Sequence, residues 1–456
     1  MKKKIVIIGA GSAMFTQGLV MDLLKKKPGG HEWKLALCDI DPDILNIVSR
    51  MVRKMLDAKE SSFELEWSVD RKDLLPGADY VVTTIGVGGR RAWEQDVFIP
   101  RKYGVFQPVG DTAMPGGISR AMRMVPAMID IVRDVQQLCP KARFFNYSNP
   151  MAVICRAVRK VTGHDMTGLC IGTAGIEWYM ADFIGVEQHR VTSLAAGINH
   201  CTFIYDFRVD GVDASSIVRE KLKIEYPDEN AFIIGDRFNG PNAENTTFFM
   251  GEPWSWDFYR KYGAFPAPGD RHVSEFFTEY FPHGAYYGKK LGVDAYSFEN
   301  TIRHGDELFE ETSRLALSDE PLDASFFAHF HGEHEQLMDI IHSIETDNRK
   351  IFYMNVQNDG SVPNLPAQAV LEIPCVASAN GPMALKQKAF PSVLVGFTNR
   401  FLSIVELVVE AALQGDRKLM EEAILAGGYI ADRNAVRQMV DELLKVHQAN
   451  LPQFFG

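Results

Sequence analysis

Two glycines and a carboxylate near the start of the chain have the spacing that binds a dinucleotide. A hydrophobic run from Lys4 leads directly into Gly9-Ala10-Gly11-Ser12. Gly9 permits a tight turn after a strand, and Gly11 lets the backbone approach a pyrophosphate at a helix N-terminus, where Ser12 also lies. Met14 stands where a third glycine is usual. Asp39 follows the next hydrophobic run at the distance from which an acidic side chain holds the adenosine ribose diol, and Cys38-Asp39-Ile40-Asp41 has no basic residue for a 2′-phosphate. These residues predict NAD in preference to NADP. The alternative is an ordinary strand-turn-helix with Asp39 capping the following helix. A second glycine loop, Gly86-Val87-Gly88-Gly89, follows a further hydrophobic run, where nicotinamide-side loops sit in such folds.

Other residues have side chains suited to a substrate or a metal. Asn149, in Asn146-Tyr147-Ser148-Asn149-Pro150, ends a strand at the edge where a side chain enters the crevice beside the nicotinamide, so it can hydrogen-bond a substrate hydroxyl; a simple turn is the alternative. Cys170 and His200 lie thirty residues apart. Each alone reads as a core residue, whereas together a soft sulfur and an imidazole suit a divalent transition metal with open positions. Asp257 and Tyr259 stand next to Arg260 and Lys261, and nearby cations lower a phenol toward useful base strength; aromatic packing is the competing reading. Arg271, in Gly269-Asp270-Arg271-His272, suits an anionic substrate group, with Asp270 as a helix cap the alternative. His329, His331 and His334 read as a solvated helix start beside Glu333 and Glu335.

The elements that must position these residues follow from periodicity. Short β-branched runs over 4–8, 34–38, 80–85, 142–146 and 166–170 alternate with helical spacing over 15–27, 42–58 and 116–138. That alternation predicts an α/β fold: an N-terminal Rossmann, doubly wound parallel sheet of the lactate and malate dehydrogenase kind. From about residue 195 it stops. A strand over 202–209 gives way to aromatic-rich sequence and then to long helices over 390–414 and 418–447, the second broken at Gly427 and Gly428. The expected division is an NAD-binding domain over 1–195 and an α+β, largely helical C-terminal domain over 196–456 for substrate, metal and subunit contacts.

Composition narrows the function classes. A net charge of -11 on 456 residues repels phosphate backbones and anionic lipid, so nucleic acid and membrane are poor partners. No secretory signal is visible, no apolar stretch reads as bilayer-spanning, and six scattered cysteines suggest no disulfide framework. A reducing cytoplasm is the expected location.

Taken together, the motifs resemble glycoside hydrolase family 4, the NAD- and metal-dependent glycosidases. The resemblance rests on Gly9-Ala10-Gly11-Ser12, Asp39-Ile40-Asp41, Gly88-Gly89, the 111–117 segment Asp-Thr-Ala-Met-Pro-Gly-Gly, Asn146 through Pro150, Cys170, Gly197-Ile198-Asn199-His200, Tyr259 through Pro266 and Asn355 through Gly360. The 111–118 and 355–360 segments look most like its α-galactosidase branch. The resemblance implies hydride removal from sugar C3 by NAD+, loss of the C2 proton, elimination of the aglycone, addition of water and return of the hydride, an exception to the paired-carboxylate scheme. It also implies Mn2+ or a similar ion on Cys170 and His200, Tyr259 as base with Asp257 as alternative or helper, and Asn149 on the sugar hydroxyls.

One position departs from the family pattern. The residue after the cysteine is commonly His in members acting on unphosphorylated sugars and Asp or Asn in 6-phosphoglycosidases, and here it is Ile171, which can neither protonate a leaving group nor bind a hydroxyl. The expected substrate is a small-molecule hexoside or hexuronide, α-galactoside or α-galacturonide first and α-glucoside next, with Arg271 keeping a uronic acid open. A sugar or hydroxy-acid dehydrogenase that releases NADH is the alternative. The resemblance also implies a homo-oligomer.

Overall fold

The computed structural model describes residues 2–225, 251–328 and 336–455. His329, His331 and His334 lie outside the described residues.

Strand β1 (Lys2–Ile8) ends in four buried apolar residues, as a strand covered on both faces must. It pairs in parallel with β2 (Glu32–Cys38) and β4 (Tyr80–Thr83). With β3 (Glu64–Ser68), β5 (Arg143–Asn146) and β6 (Thr167–Gly168) it forms a parallel array of order 3-2-1-4-5-6, the dinucleotide-binding order, which reverses between β1 and β4. Helices α1 (Ala13–Lys26), α2 (Pro42–Ala58), α3 (Arg71–Leu74), α4 (Gly89–Lys102), α5 (Met114–Leu138) and α6 (Met151–Thr162) lie between these strands in sequence, and α7 (Gly172–Ile184) follows β6. The α2 cap is Asp41, whose carboxylate accepts from the Asp43 and Ile44 amides at 3.0 and 3.1 Å, so Asp39 is free of that duty.

The second half begins with the hairpin β7 (Val191–Ile198) and β8 (Cys201–Val209), flanked by β9 (Val212–Asp213) and β10 (Phe265–Ala267). Helices α8 (Ser215–Glu225), α9 (Pro253–Tyr262) and α10 (Asp270–Val273) and the ribbon of β11 (Ala285–Tyr286) and β12 (Lys289–Lys290) follow. Strands β13 (Ile351–Gln357), β14 (Val370–Ser378) and β15 (Gly381–Ala384) then return to the large sheet and extend it antiparallel beyond β6, giving nine strands. An antiparallel edge on a parallel array is a common arrangement, and it brings late chain against the crevice.

One continuous apolar core joins β1, β4 and α5 to the late helices, while a second core gathers α7, β7, β8, α8 and α9. The expected long last helix is two, Arg417–Ala426 and Arg433–Val446, separated at the two glycines. The helix Ser392–Gln414 corrects one expectation, since it is long and apolar enough by length and composition to cross a membrane. Here it packs on α5 and α6, and its Glu406 and Glu410 pair with Arg156 and Lys160 of α6.

Candidate active site

The dinucleotide end is built from backbone. Gly9 sits at φ +91°, and a Cβ there would stand 2.7 Å from the Ile85 nitrogen, so no other residue fits this crossing of β1 and β4. The Gly9 and Ala10 amides both donate to the Cys38 carbonyl, at 2.9 and 3.0 Å. The Gly11 amide donates to Asp39 Oδ2 at 2.7 Å, and a Cβ on Gly11 would come within 2.6 Å of that oxygen. Ser12 precedes α1 without a side-chain cap bond, which leaves first-turn amides for a pyrophosphate. Gly88, at φ +83°, begins α4 on the next loop. These residues fit a dinucleotide: the glycines supply room, α1 supplies donors, and Asp39 lies against the turn.

The metal and substrate end is built from side chains of distant segments. His200 occupies the two-residue turn between β7 and β8 at φ +66°, a backbone region that histidine visits more readily than most residues. Its Nδ1 lies 2.8 Å from Thr112 Oγ1 and 3.7 Å from Asp111 Oδ1. The Thr112 hydroxyl donates to Asp111 Oδ1 at 2.7 Å, so it accepts from Nδ1–H of His200 and leaves the Nε2 lone pair for a metal. His272, in α10, packs against His200 with ring centroids 4.2 Å apart and the ring planes tilted by 55°. Asp111, His200 and His272 place a potential ligand atom each within 4.8 Å of one another. Burial lowers both imidazole pKa values, that of His272 well below its ordinary value with His200 and Arg271 adding to the effect, so both are neutral at pH 7, the form that binds metal. Two nitrogens and a carboxylate oxygen suit a divalent transition ion.

Asn149 joins this group. Its Nδ2 donates to Asp111 Oδ2 at 2.9 Å, and its Oδ1 is buried with no direct partner, an acceptor open to a hydroxyl. Arg271 is also drawn in: its guanidinium is desolvated, is favoured by the nearby Asp111 carboxylate, and donates to Thr301 Oγ1 at 3.1 Å. Glu275 accepts from the amides of Val109 and Gly110 at 2.8 and 2.7 Å, and burial pushes its carboxyl up to about 8. Cys170 lies outside the trio of ligand atoms. Its sulfur accepts from the Gly172 amide at 3.3 Å, and Gly172 packs on Pro268, four residues before His272, so the Cys170 turn borders the same segment.

The structure does not bring Asp257 and Tyr259 to this group. Tyr259 is buried in the second core edge-on to Trp256, and burial pushes its phenol up to about 12, the opposite of the expected lowering. The reason is helical geometry: Lys261 pairs with Asp257 at 2.6 Å on the partly exposed side of α9, away from the ring. Asp111 and His272 are the site residues that sequence reasoning missed. Both stand inside quoted motifs, but single residues at positions 111, 200 and 272 form no spacing pattern.

The family model described as Family 4 glycosyl hydrolase matches residues 4–186, and that of the Family 4 glycosyl hydrolase C-terminal domain matches 195–427. A probable 6-phospho-beta-glucosidase of Bacillus subtilis is 28% identical, covering 99% of this chain and 98% of its own. An alpha-galactosidase of Rhizobium meliloti is 27% identical, covering 99% of this chain and 89% of its own. The solved structure of the 6-phospho-beta-glucosidase of Thermotoga maritima with manganese, NAD+ and glucose-6-phosphate superposes with a TM-score of 0.77 at 24% identity, covering 98% of this chain and 99% of that one, which shows the shared fold. This chain belongs to family 4 of the glycosyl hydrolases.

Proposed function

We propose that this protein is an NAD- and Mn2+-dependent glycosidase that cleaves a hexoside or hexuronide by transient oxidation at C3. The observation that carries this reading is the Asp111–His200–His272 trio joined to Asn149, in a chain whose first strand ends in a dinucleotide turn. When bound, NAD supplies a hydride acceptor and donor, and a divalent ion supplies Lewis acidity toward two adjacent sugar oxygens. Gly9, Gly11, Ser12, Asp39 and Gly88 hold the dinucleotide. Asp111, His200 and His272 hold the ion, with Cys170 at the rim as a further ligand. Asn149 places the sugar hydroxyls and faces the nicotinamide end of the cofactor. Arg271 orients an anionic group, which favours a uronide. Ile171 offers no proton to a departing aglycone, so leaving groups that are stable as anions are preferred. The role of base is not assigned to Tyr259 or Asp257.

In this reading residues 1–195 serve the dinucleotide, and residues 196–456 serve substrate, metal and contacts between copies of a homo-oligomer in the cytoplasm. All six cysteines are free, in keeping with a reducing compartment. The test is release of p-nitrophenol from α- and β-hexosides and hexuronides with NAD+, Mn2+ and thiol present, and with each omitted. Release that needs NAD+ and Mn2+ without net NADH supports the reading. Ile171 favours one competitor, a dehydrogenase, which would accumulate NADH from free sugar and cleave nothing.

A further inference from the structure

A carboxylate in the middle of an apolar strand is costly unless something requires it. Glu372 is such a residue: it sits in β14, within Val-Leu-Glu-Ile-Pro-Cys, and is 1% exposed. The β13–β14 register sets Asn355, itself fully buried, directly opposite it on the same face of the sheet. Thr202, two residues after His200, donates to Glu372 Oε2 at 2.9 Å. Asn199, the other residue of the His200 turn, and Thr173, three residues after Cys170, approach the same carboxyl. Neither forms an aligned bond to it: Thr173 Oγ1, both polar atoms of Asn199, both of Asn355 and Glu372 Oε1 are buried without a direct partner. Five such atoms around one carboxyl, with its own Oε1 as a sixth, are too many for a merely structural core, where buried polar groups are paired. They converge where the Cys170 turn, the His200 turn and the antiparallel strands meet.

We propose that Glu372 is a positioning residue for the metal centre, its carboxyl bonded to the strand after the His200 turn through Thr202 and set against Asn199 of that turn and Thr173 after the Cys170 turn. His200 holds a left-handed backbone conformation, which surrounding contacts must fix. Outer groups of this kind orient metal ligands without touching the ion. The inference rests on the metal reading above.

The test is Mn2+ affinity, read by electron paramagnetic resonance of free Mn2+, alongside NAD+ affinity read by fluorescence, in wild type, Glu372→Ala, Glu372→Gln and Thr202→Val. Glu372→Ala should weaken Mn2+ binding by roughly 10- to 100-fold and leave NAD+ binding unchanged, whereas Glu372→Gln, which keeps shape and hydrogen bonding, should restore most of the loss. Wild-type Mn2+ affinity in Glu372→Ala overturns the inference alone. Should that variant not fold, Thr202→Val decides, a weaker Mn2+ complex supporting the inference and an unchanged one overturning it. A wild-type chain that binds no Mn2+ overturns the metal reading and this inference with it.

Discussion

The two ends of the crevice are made in opposite ways. At the dinucleotide end, Gly9, Gly11 and Asp39 meet within thirty residues of chain, and what is presented is mostly main chain: a turn with no room for a Cβ and an uncapped helix start. At the metal end, Asp111, His200 and His272 come from three segments separated by 89 and 72 residues, and what is presented is side chains fixed by Thr112, Asn149 and the β7–β8 turn. The first end tolerates change in distant sequence because its geometry is local. The second depends on every contact that docks α10 and the hairpin against the Rossmann sheet, so the two ends should fail independently.

The sharpest separation comes from His272→Ala. Removing one nitrogen of the trio should lower glycoside cleavage by roughly 10³-fold while NAD+ affinity stays within experimental error, as read by cleavage kinetics and cofactor titration. Equal loss of both would merge the two ends into one. The converse is Gly9→Val, whose side chain would drive into the Ile85 backbone. It should weaken NAD+ binding by roughly 100-fold or more and leave Mn2+ affinity intact if the chain folds; normal NAD+ affinity would move the cofactor elsewhere.

Ile171→His restores a proton donor beside the Cys170 turn. Cleavage of alkyl glycosides should rise by about 10- to 100-fold relative to p-nitrophenyl glycosides, and an unchanged ratio would show that another group protonates the aglycone.

A pH series probes the metal end through stability. Glu275 titrates at about 8 in the folded chain against an ordinary 4.5, so from pH 4.5 to 8 the unfolded state has lost a proton that the folded state keeps. Its contribution to stability therefore falls as pH rises through that window. His200 and His272 act with the opposite sign, because their lowered values make the unfolded chain bind more protons below 6.5, and stability is lost on acidification there. Melting temperatures should show Glu275→Gln gaining on wild type as pH goes from about 5 to about 8, with the gain absent at the acid end. A constant offset would mean the carboxyl is ionised throughout.

The smallest effect expected is from Tyr259→Phe. A phenol held in the second core should change cleavage by less than about threefold; a fall of 10²-fold or more would return it to the role of base and show that α9 shifts toward the trio when substrate binds.

How much of this was legible beforehand depends on the range of the interaction. The strands 4–8, 34–38, 80–85 and 142–146 and the helix 42–58 were readable because periodicity and turn chemistry act over a few residues. The antiparallel extension by β13 to β15 was not read, since register with β6 is set only when the late chain docks. The lowered phenol expected at Tyr259 is not found for a related reason: its neighbours in sequence are cations, but a helix sends residues two positions apart to different sides, and burial in a core that only the folded chain creates raises it instead.

The sequence by itself thus determined the α/β class, the dinucleotide turn with its acidic partner, the candidates Asn149, Cys170 and His200, and the family to which the chain belongs, because each is carried by local geometry or by an ordered set of motifs. Only the tertiary structure decided which groups meet. It set His272 against His200, brought Asp111 close to both with Asn149 on its other oxygen, and buried Tyr259 in the second core. A metal site is a statement about distances of a few ångströms between residues scores of positions apart, and those distances exist only after packing has closed the chain.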